Sequence, residues 1–471
     1  MATEEQIQQI VAQQREYFAT GKTMNVQFRV NKLRELKETI KANEDKINAA
    51  LQADLGKSPF ESYMCEVGMT LAELSCQIKN TKKWSKGTRY VPDLANFHSS
   101  YRTVPEPYGQ VLIMSPWNYP FMLTMEPLAG AIAAGNCCVV KPSAYSPATS
   151  QVMADIIAQV FEPGHVQCVL GGRAENTALL EARWDYIFFT GSPTVGKMVM
   201  EKASRYLTPV SLELGGKSPC VIAADANLKL AAQRLAFGKW LNVGQTCIAP
   251  DYVLVEESVH DQFVAELKAA TVAMYGSNAF DNPNYGKIVN EKHYQRVMGL
   301  IDPAKVVLSA EAGFTADGSL AFGNPETLQI APVIMTGVTA DDAVMGEEIF
   351  GPLCPILKVR DLAEAEAFIK EREKPLALYL FSNSKATQER FMRYVPFGGG
   401  CINDTIVHIA TSKMGFGGVG NSGMGSYHGI RSFRTFSHEK SVLKKHNWID
   451  LPMRYQPYSS FKEKLIRMFL R

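Results

Sequence analysis

Three polar side chains stand in turn-forming segments where an enzyme could use them. Cys247 lies in GKWLNVGQTCIAPDY, where Gly244 and the polar pair Gln-Thr precede the thiol. A thiol in such a loop is accessible to a substrate and to backbone N–H donors. Glu213 precedes two glycines in SLELGGKSP, and a partly desolvated carboxylate there can act as a general base. Asn118 is held between two prolines in SPWNYPF, and its amide can donate to an oxyanion.

Each of these residues also has an ordinary structural interpretation. Most cysteines are small buried hydrophobes, a glutamate before a turn often caps a helix or faces solvent, and an asparagine beside proline commonly forms an Asx turn. The cysteines in apolar, strand-like runs are interpreted as core residues: Cys137, Cys138, Cys168, Cys220 and Cys354.

Two further segments have features of a phosphate or nucleotide site. FFTGSPTVGK follows a strand and opens a helix, so Gly191, Ser192 and Gly196 leave backbone N–H groups free, which suits a pyrophosphate. An ordinary strand-to-helix turn explains the same segment. Lys141 ends the strand CCVVK, at the strand end where open α/β sheets bind ligands, although a solvated lysine is also common there.

A formal GxGxxG occurs over 415–420, but its context is wrong for a dinucleotide fingerprint. It follows a stretch poor in strand formers and has no helix behind it, whereas the fingerprint needs a strand before it and a helix after it. A flexible loop over a site is the preferred interpretation.

Length and composition bound the class of protein. The chain has 471 residues, and 49 Lys and Arg balance 47 Asp and Glu to give a net charge of +2. Two or three soluble globular domains are expected for this length. The balanced charge argues against a dedicated nucleic-acid binder, which usually carries a basic domain.

The cysteine count and the N-terminus indicate a reducing compartment. Nine cysteines form an odd set without CxxC, which argues against a disulfide framework or a zinc ribbon, so we predict no metal site. The N-terminus lacks the apolar stretch of a signal peptide, and no apolar run reaches 18 residues. A cytoplasmic location is therefore predicted.

Hydrophobic periodicity predicts the elements that position these side chains. Helical spacing covers 3–53 and 61–86, and short apolar strands then alternate with helices, which is typical of an α/β domain with a parallel sheet. The alternation of strands and helices begins again near Gly215 and indicates a second α/β unit. Residues 400–445 are rich in Gly and Ser and show no clear helix. The predicted strands and helices after 86 are strands 111–114, 137–140, 166–170, 186–189, 218–223 and 252–257, and helices 128–134, 146–161, 175–182, 227–241 and 260–274.

Taken together and in order, the segments resemble the NAD(P)-dependent aldehyde dehydrogenase superfamily. The order is SPWNYP, AAGNCCVVKPS, FFTGSPTVGK, LELGGKSP, GQTCIAP, EEIFGP and GFGGVGNSGMG, which runs from 115 to 425. The resemblance covers essentially the whole chain. The spellings WNYP, GQTCIAPDY and GNSGMGSYHG are similar to the class 3 branch, which acts on medium- and long-chain aliphatic and aromatic aldehydes.

The resemblance implies a role for each matched residue. Cys247 is expected to be the nucleophile, Glu213 the base for deacylation, and Asn118 an oxyanion donor beside the Cys247 backbone N–H. A thiohemiacetal and then a thioester would form on the thiol. The residues expected to bind NAD or NADP are Lys141, Ser143, Gly191, Ser192, Gly196, Glu348 and Phe350.

The family fold implies two doubly wound parallel-sheet domains and a β-ribbon arm. We therefore assign 1–85 and 103–213 to a cofactor-binding domain and 214–400 to a catalytic domain. The arm is assigned to 86–102 and 401–445, and 446–471 form a C-terminal tail. Class 3 relatives are dimers, so a homodimer is expected.

Two positions bear on specificity. Many NAD-preferring relatives carry a glutamate three residues after the strand-end lysine, where this chain has Ala144. Loss of that carboxylate removes a ribose acceptor and a repulsion against a 2′-phosphate, so NADP tolerance is expected. Tyr63 and Tyr119 lie where class 3 relatives line the substrate funnel, although aromatic residues there are equally expected as packing.

Three alternatives stay open at this stage. An acylating enzyme would pass the thioester to coenzyme A, and Glu213 argues against it because such an enzyme has less need to activate water. A non-catalytic binding protein would keep the fold, but it would not need its catalytic residues, and every catalytic position that can be matched is filled in this chain. A cysteine hydrolase would need a histidine near Cys247, and none is recognisable by spacing.

The tail contains an amphipathic segment over 461–471. Four apolar residues share one helical face while Lys and Arg occupy much of the remainder. A helix docked on the body or on a partner subunit is the first interpretation, and a weak contact with a membrane surface is the second. The apolar residues are Phe461, Leu465, Met468 and Phe469.

Overall fold

Two large β-sheets with helices on both faces form the body of the protein, and a small antiparallel sheet accompanies them. The computed structural model describes residues 3–93, 96–309 and 322–470. Short pieces of the predicted domains and tail (1–2, 94–95, 310–321 and 471) lie outside the described residues. No helix in the described ranges combines the length and the apolar character needed to cross a bilayer.

The first sheet, called sheet I, contains six strands in the order β17-β7-β6-β3-β4-β5. Its strands are parallel except for β17, which pairs antiparallel with β7 at the edge. The strand bounds are β3 Gln110–Met114, β4 Cys137–Lys141, β5 Val166–Cys168, β6 Tyr186–Gly191, β7 Val210–Leu214 and β17 Gly423–Met424.

The second sheet, called sheet II, contains seven strands in the order β10-β13-β14-β9-β8-β15-β16. Only β10 runs antiparallel to its neighbour. The strand bounds are β8 Pro219–Ile222, β9 Tyr252–Glu256, β10 Val306–Ser309, β13 Val333–Met335, β14 Leu353–Val359, β15 Ala377–Phe381 and β16 Gly399–Ile402, and a separate two-stranded sheet pairs β11 Gly323–Asn324 with β12 Gln329–Ile330.

Helices cover both faces of each sheet. Their bounds are α1 Glu4–Ala19, α2 Val26–Ala42, α3 Glu44–Leu55, α4 Pro59–Ser62, α5 Gly68–Trp84, α6 Met122–Ala134, α7 Pro147–Val160, α8 Arg173–Glu181, α9 Pro193–Ser204, α10 Leu228–Trp240, α11 His260–Tyr275, α12 Glu291–Met298, α13 Ala343–Gly346, α14 Leu362–Lys370, α15 Lys385–Tyr394, α16 Ile430–Thr435 and α17 Ser460–Phe469. A π-helical turn, Tyr63–Val67, connects α4 to α5.

Alternating residues of β3 show why this sequence forms a doubly wound sheet. Val111 and Ile113 pack into the core shared with α2 and α6, whereas Leu112 and Met114 pack into the core shared with α1, α8 and α9. A strand buried on both faces reads as a continuous apolar run, as QVLIM does. The predicted fold class is confirmed, with an antiparallel strand at one edge of each sheet.

The small sheet, called the arm sheet, differs in extent from the predicted arm. It pairs β1 (Thr88–Tyr90), β2 (Ser99–Pro107) and β18 (Ser437–Lys445) in that order. The predicted arm of 86–102 and 401–445 contains β1, the start of β2 and β18, whereas β2 continues to Pro107 and β16 and β17 pair within sheets II and I. Strand pairing over long sequence distance decides this arrangement, and periodicity does not reveal it. The division of the chain into domains stays an interpretation.

Two helices also differ from the sequence-based elements. The segment over 400–445 contains α16, although no helix was expected there. Helix α6 begins at Met122 instead of 128 and contains Pro127. It begins early because the Glu66 carboxylate accepts hydrogen bonds from the backbone N–H groups of Phe121 and Met122, at 2.9 and 3.0 Å. These bonds satisfy donors that a helix N-terminus leaves free.

Candidate active site

An apolar cavity of about 190 Å³ lies between sheets I and II and contains two of the three candidate catalytic residues. Cys247 and Glu213 line it, and Asn118 precedes the lining residue Tyr119. The lining residues are Met64, Cys65, Met69, Tyr119, Met122, Leu123, Thr190, Glu213, Phe237, Leu241, Thr246, Cys247, Ile248, Leu376, Ile406, Val407, Ile409, Ala410, Phe416 and Tyr427.

The loop that carries Cys247 has an unusual backbone. After α10, a short 3₁₀ turn contains Asn242 and Val243 with φ of 52° and 54°, and Gly244 follows with φ of 71°. A Cβ at Gly244 would lie 2.3 Å from the Gly351 carbonyl oxygen, so only glycine allows the two loops to approach so closely. The thiol is thereby held at the cavity on a bent, non-helical segment.

Hydrogen bonds fix the loop on both sides of the thiol. The Tyr119 hydroxyl lies 2.6 Å from the Thr246 hydroxyl. The Tyr379 hydroxyl donates to the Ile248 carbonyl at 2.6 Å. Cys247 therefore lies between two anchored neighbours, which limits the positions its sulfur can take.

Asn118 is joined to the same loop. It is buried in the segment between β3 and α6, and its Nδ2 donates to the Gln245 carbonyl at 3.0 Å. Because an amide nitrogen carries two hydrogens, one N–H remains for an oxyanion near Cys247. The structure thus brings Asn118 and the thiol loop together, as predicted.

Glu213 reaches the cavity from sheet I. It lies on β7, where it is paired in register with Thr190 on one side and Gly423 on the other. Its side chain is buried, and neither carboxyl oxygen has a hydrogen-bond partner within the described residues. A carboxyl without partners is free to turn toward a water molecule or a substrate.

Burial sets the protonation of both groups. It raises the pKa of the Cys247 thiol to about 12, with the nearby carboxylates of Glu348 and Glu213 adding to the effect. It also raises the pKa of Glu213 well above its ordinary value. Desolvation disfavours the charged form of each group, so burial shifts both equilibria toward the thiol and the protonated carboxyl.

The cavity wall corrects one of the two predicted substrate residues. Tyr119 lines the cavity, but Tyr63 does not: it is 48% exposed, and the wall is formed by Met64 and Cys65 instead. Neighbouring residues of a helical turn point in different directions, so the cavity receives the residues after Tyr63.

Several wall residues were not predicted from the sequence. Phe416 and Tyr427 come from the glycine-rich segment, where they form an isolated antiparallel bridge and an edge-to-face pair with centroids 5.9 Å apart. The GxGxxG in this segment therefore serves the cavity wall, which agrees with its interpretation as a loop over a site. The only sequence signal was two aromatic residues amid glycines.

The strand-end lysine of sheet I is well placed for a nucleotide sugar. Lys141 is buried, and its Nζ donates to the carbonyl oxygens of Pro142 and Gly171, each at 2.7 Å. Burial lowers its pKa. The ammonium has a third hydrogen for a ribose hydroxyl. Ser143 and the exposed Ala144 follow in the turn before α7.

The predicted pyrophosphate contacts lie at the N-terminus of α9. β6 ends at Gly191, and the Ser192 hydroxyl caps α9 by accepting from the Val195 N–H at 3.4 Å. A Cβ at Gly196 would lie 2.6 Å from the Leu214 side chain, so glycine lets α9 pack closely on β7. Free N–H groups and the helix dipole favour an anion there.

Glu348 and Phe350 lie in the segment between α13 and β14. A Cβ at Gly215 would lie 2.1 Å from the Glu348 Oε2, so this carboxyl rests on the glycine turn after β7. Burial, with Asp251 nearby, raises the pKa of Glu348 to about 8. Phe350 contacts Trp117 with ring centroids 5.3 Å apart. These contacts bring both residues next to the segments that follow β7 and β3, and their binding of the cofactor stays a prediction.

Comparisons with known proteins agree with this arrangement. A model of the aldehyde dehydrogenase family matches residues 1–442. A 4,4′-diaponeurosporen-aldehyde dehydrogenase of Staphylococcus aureus is 43% identical over 458 residues, which cover 97% of each chain.

Two mammalian relatives are similarly close. A rat protein named aldehyde dehydrogenase, dimeric NADP-preferring, is 45% identical over 439 residues, which cover 93% of this chain and 94% of that one. A cattle aldehyde dehydrogenase family 3 member B1 is 42% identical over 447 residues, which cover 94% and 93%.

A solved structure has nearly the same fold. The substrate-bound state of Staphylococcus aureus AldH superposes with a TM-score of 0.95 at 42% identity, and the match covers 99% of both chains.

Proposed function

The chain belongs to the aldehyde dehydrogenase family, and we propose that it oxidises apolar aldehydes to carboxylates through a thioester on Cys247. It is an NAD(P)-dependent aldehyde dehydrogenase, and its relatives named family 3 members confirm the resemblance to the class 3 branch. The observation that carries the mechanism is the placement of Cys247 and Glu213 on one apolar cavity beside Asn118.

The first step is addition of the thiol to the aldehyde. The Cys247 sulfur bonds to the carbonyl carbon, the thiol proton passes to a water molecule, and the carbon–oxygen π bond opens to an oxyanion. The free N–H of Asn118 and the backbone N–H of Cys247 donate to that oxygen. Such donors act strongly beside an apolar wall, where the effective dielectric constant is low.

The second half releases the acid. Lys141, Ser143 and the N-terminus of α9 would hold NAD(P)⁺, which would supply the hydride acceptor for the tetrahedral carbon. Loss of that hydride leaves a thioester on Cys247. Glu213 then removes a proton from a water molecule, the resulting hydroxide attacks the thioester carbon, and the thiolate leaves. The carboxyl of Glu213 suits this role because neither of its oxygens is committed to another bond in the described structure.

The cavity supports an apolar substrate. Among its described lining residues, polar groups are carried only by two tyrosines, Thr190, Glu213, Thr246 and the two cysteines, Cys65 and Cys247. An apolar cavity of about 150 Å³ holds benzene in another protein, so this one admits an aromatic ring or a short alkyl segment. Val407, which is 45% exposed, forms part of the rim, and a longer chain can extend past it.

A panel of three aldehydes tests this substrate class. We expect kcat/KM for hexanal and benzaldehyde to exceed that for succinic semialdehyde by about 100-fold, because an unpaired carboxylate in an apolar site costs several kcal/mol. Reduced nicotinamide absorbance measures each rate with NAD and with NADP. Preference for the semialdehyde would contradict the apolar substrate class. Absence of nicotinamide reduction with every aldehyde would contradict aldehyde oxidation itself.

The competing reactions lack structural support. A cysteine hydrolase needs a histidine beside the thiol, and no histidine lines the described cavity. Transfer to coenzyme A needs no water-activating base, whereas Glu213 is present at the cavity. A binding protein without activity has no use for the three filled catalytic positions.

Cofactor choice is proposed from the turn after β4. The chain uses NAD or NADP, and we propose that Ala144 permits NADP because it places no carboxylate near a 2′-phosphate. The name of the rat relative, NADP-preferring, supports this proposal. The aldehyde panel run with both cofactors measures the preference.

We also propose a homodimer joined partly through the arm sheet. β18 pairs with β2 on one side only, and an unpaired strand edge is usually covered. Leu443 on β18 is 48% exposed, which marks an apolar contact point. The dimeric rat relative supports the same assembly.

Sedimentation tests the dimer. At micromolar concentration we expect a mass near twice the 52.1 kDa of one chain. Leu443→Asp should shift the equilibrium toward monomer because a charge is then buried in the contact. Val272→Asp on α11, at a valine 40% exposed, is the control. A wild-type protein that sediments only as monomer would contradict the proposal.

The C-terminal helix is proposed to make a weak contact with anionic membranes. α17 has no buried residue in the described chain, and Phe461 and Met468 are 69% and 60% exposed. Docking of this helix on the body of its own chain is thus not observed. Its lysines and arginines would attract an anionic surface on which apolar aldehydes accumulate.

Vesicle co-sedimentation tests this contact. We expect binding to anionic vesicles that falls with added salt and with deletion of 461–471, because screening weakens a charge-driven contact. Neutral vesicles are the control. Equal behaviour of the full-length and shortened proteins would leave docking on a partner subunit as the role of α17.

All nine cysteines are free thiols, and the cytoplasm stays the predicted location.

A further inference from the structure

A fully buried ion pair lies behind the segment that carries Asn118. Lys57 follows α3, Glu66 lies in the π-helical turn, and their Nζ and Oε1 atoms are 2.5 Å apart. Their side chains are 1% and 0% exposed. Removing two charges from water is costly, and a buried pair often stabilises a fold less than apolar residues of the same size would. We therefore interpret the pair as holding neighbouring groups in position and not mainly as stabilising the fold.

The pair holds both ends of the segment 118–122. Lys57 Nζ donates to the Asn118 carbonyl at 2.9 Å. Glu66 Oε2 accepts from the backbone N–H groups of Phe121 and Met122. Lys57 Nζ also lies 4.0 Å from the ring centroid of Tyr119, within cation–π range. One ion pair thus fixes the backbone on both sides of the cavity residue Tyr119.

The same short region reaches the thiol loop. Asn242 Nδ2 donates at 2.8 Å to the Asn118 carbonyl, the oxygen that Lys57 also contacts. The backbone N–H of Asn242 donates to Glu61 Oε1 at 2.9 Å. Residues 57–66 therefore contact the oxyanion segment and the thiol loop through charged side chains.

The π-helical turn also contributes to the cavity. Met64 and Cys65 line it directly before Glu66. π-helical turns often occur at functional sites because the extra residue redirects side chains. The turn places two side chains in the cavity and, one residue later, a carboxylate against the N-terminus of α6.

We propose that the Lys57–Glu66 pair is a positioning device that aims the Asn118 amide at the oxyanion formed on Cys247. This inference rests on the proposed function, because it assumes that Asn118 donates to that oxygen. Neither charge touches the substrate. Loss of the pair lets the 118–122 segment shift, and a shift of about 1 Å at a reacting group costs on the order of 100-fold in rate.

Pre-steady-state kinetics of the full-length enzyme with cofactor and hexanal test the proposal. Lys57→Met keeps the length of the side chain and removes its charge, and Lys57→Met/Glu66→Gln removes both charges so that no lone carboxylate remains buried. We expect the rate of the NAD(P)H burst to fall on the order of 10- to 100-fold in each, with cofactor affinity unchanged. Lys305→Met breaks the Lys305–Asp342 pair, which lies outside the cavity wall, and should leave the burst rate unchanged.

A double-mutant cycle with Asn118→Ala separates positioning from general stabilisation. If Lys57 acts through Asn118, Lys57→Met should slow the burst little further once the Asn118 amide is absent. Full additivity, or a wild-type burst rate in the charge-free double variant, would overturn the proposal. A wild-type enzyme that reduces no NAD(P) with any aldehyde would instead refute the proposed function. Thermal unfolding of each variant confirms that the kinetics report folded protein.

Discussion

Replacing Cys247 with serine is expected to abolish aldehyde oxidation while leaving NAD(P) binding nearly intact. A serine hydroxyl is a weak nucleophile unless a base lies beside it, and the described cavity offers no histidine. Burial already raises the pKa of the Cys247 thiol to about 12, and a hydroxyl at the same place would be harder still to ionise. A fall in kcat of about 1000-fold or more is therefore expected, measured by nicotinamide absorbance.

Cys65 is the matched control, because it is the other thiol that lines the cavity. Cys65→Ser should retain most of the activity, since its sulfur has no role in the proposed reaction. Equilibrium dialysis with NAD and NADP then shows whether each variant still binds cofactor. Retention of more than a few per cent of wild-type kcat in Cys247→Ser would remove Cys247 from the nucleophilic role.

The second large effect concerns Glu213. Glu213→Gln should leave a burst of NAD(P)H, because the first half of the reaction forms the thioester, and should then slow the steady state by about 100-fold or more because the base is absent. Glu348→Gln is the contrast, since Glu348 is a predicted cofactor-binding residue and its loss should weaken cofactor binding. A burst and a steady state that fall together in Glu213→Gln would assign Glu213 an earlier or purely structural role.

The pH dependence follows from the burial of Glu213. Burial raises its pKa, so the carboxyl is protonated at pH values where an exposed glutamate would be ionised. Only the ionised form accepts a proton from water, so deacylation should slow as the pH falls through the raised pKa. In Glu213→Gln this limb of the steady-state profile should disappear.

The sequence singled out the three candidate catalytic residues, which stay predictions, but indicated little of the cavity wall around them. Cys247, Glu213 and Asn118 lie in glycine- or proline-containing turns, where polar residues stand out from apolar strands. The wall residues Met64 and Cys65 lie in a helical stretch whose periodicity marks a buried face without showing what it faces. Tyr63 was assigned to the substrate funnel from family resemblance, and it is not among the residues that line this cavity.

Long-range contacts explain the other differences. The early start of α6 depends on Glu66, which is far away in the sequence, so local signals placed the start after Pro127. The antiparallel edges of the two sheets are short: β17 has two residues and β10 has four. Such strands carry almost no periodic signal, and their pairing is decided by tertiary packing.

The pairing of Gly423 with Glu213 also has a consequence for the order of events during synthesis. A ribosome delivers β7 and the Cys247 loop long before it delivers β17. Until then the outer edge of β7 has no neighbouring strand, and the cavity lacks Phe416 and Tyr427. Domains usually fold in the order of their synthesis, but here an unfinished chain already holds the thiol while its base has only one strand neighbour. We therefore expect catalysis only after β17 has been synthesised and has paired with β7 in sheet I.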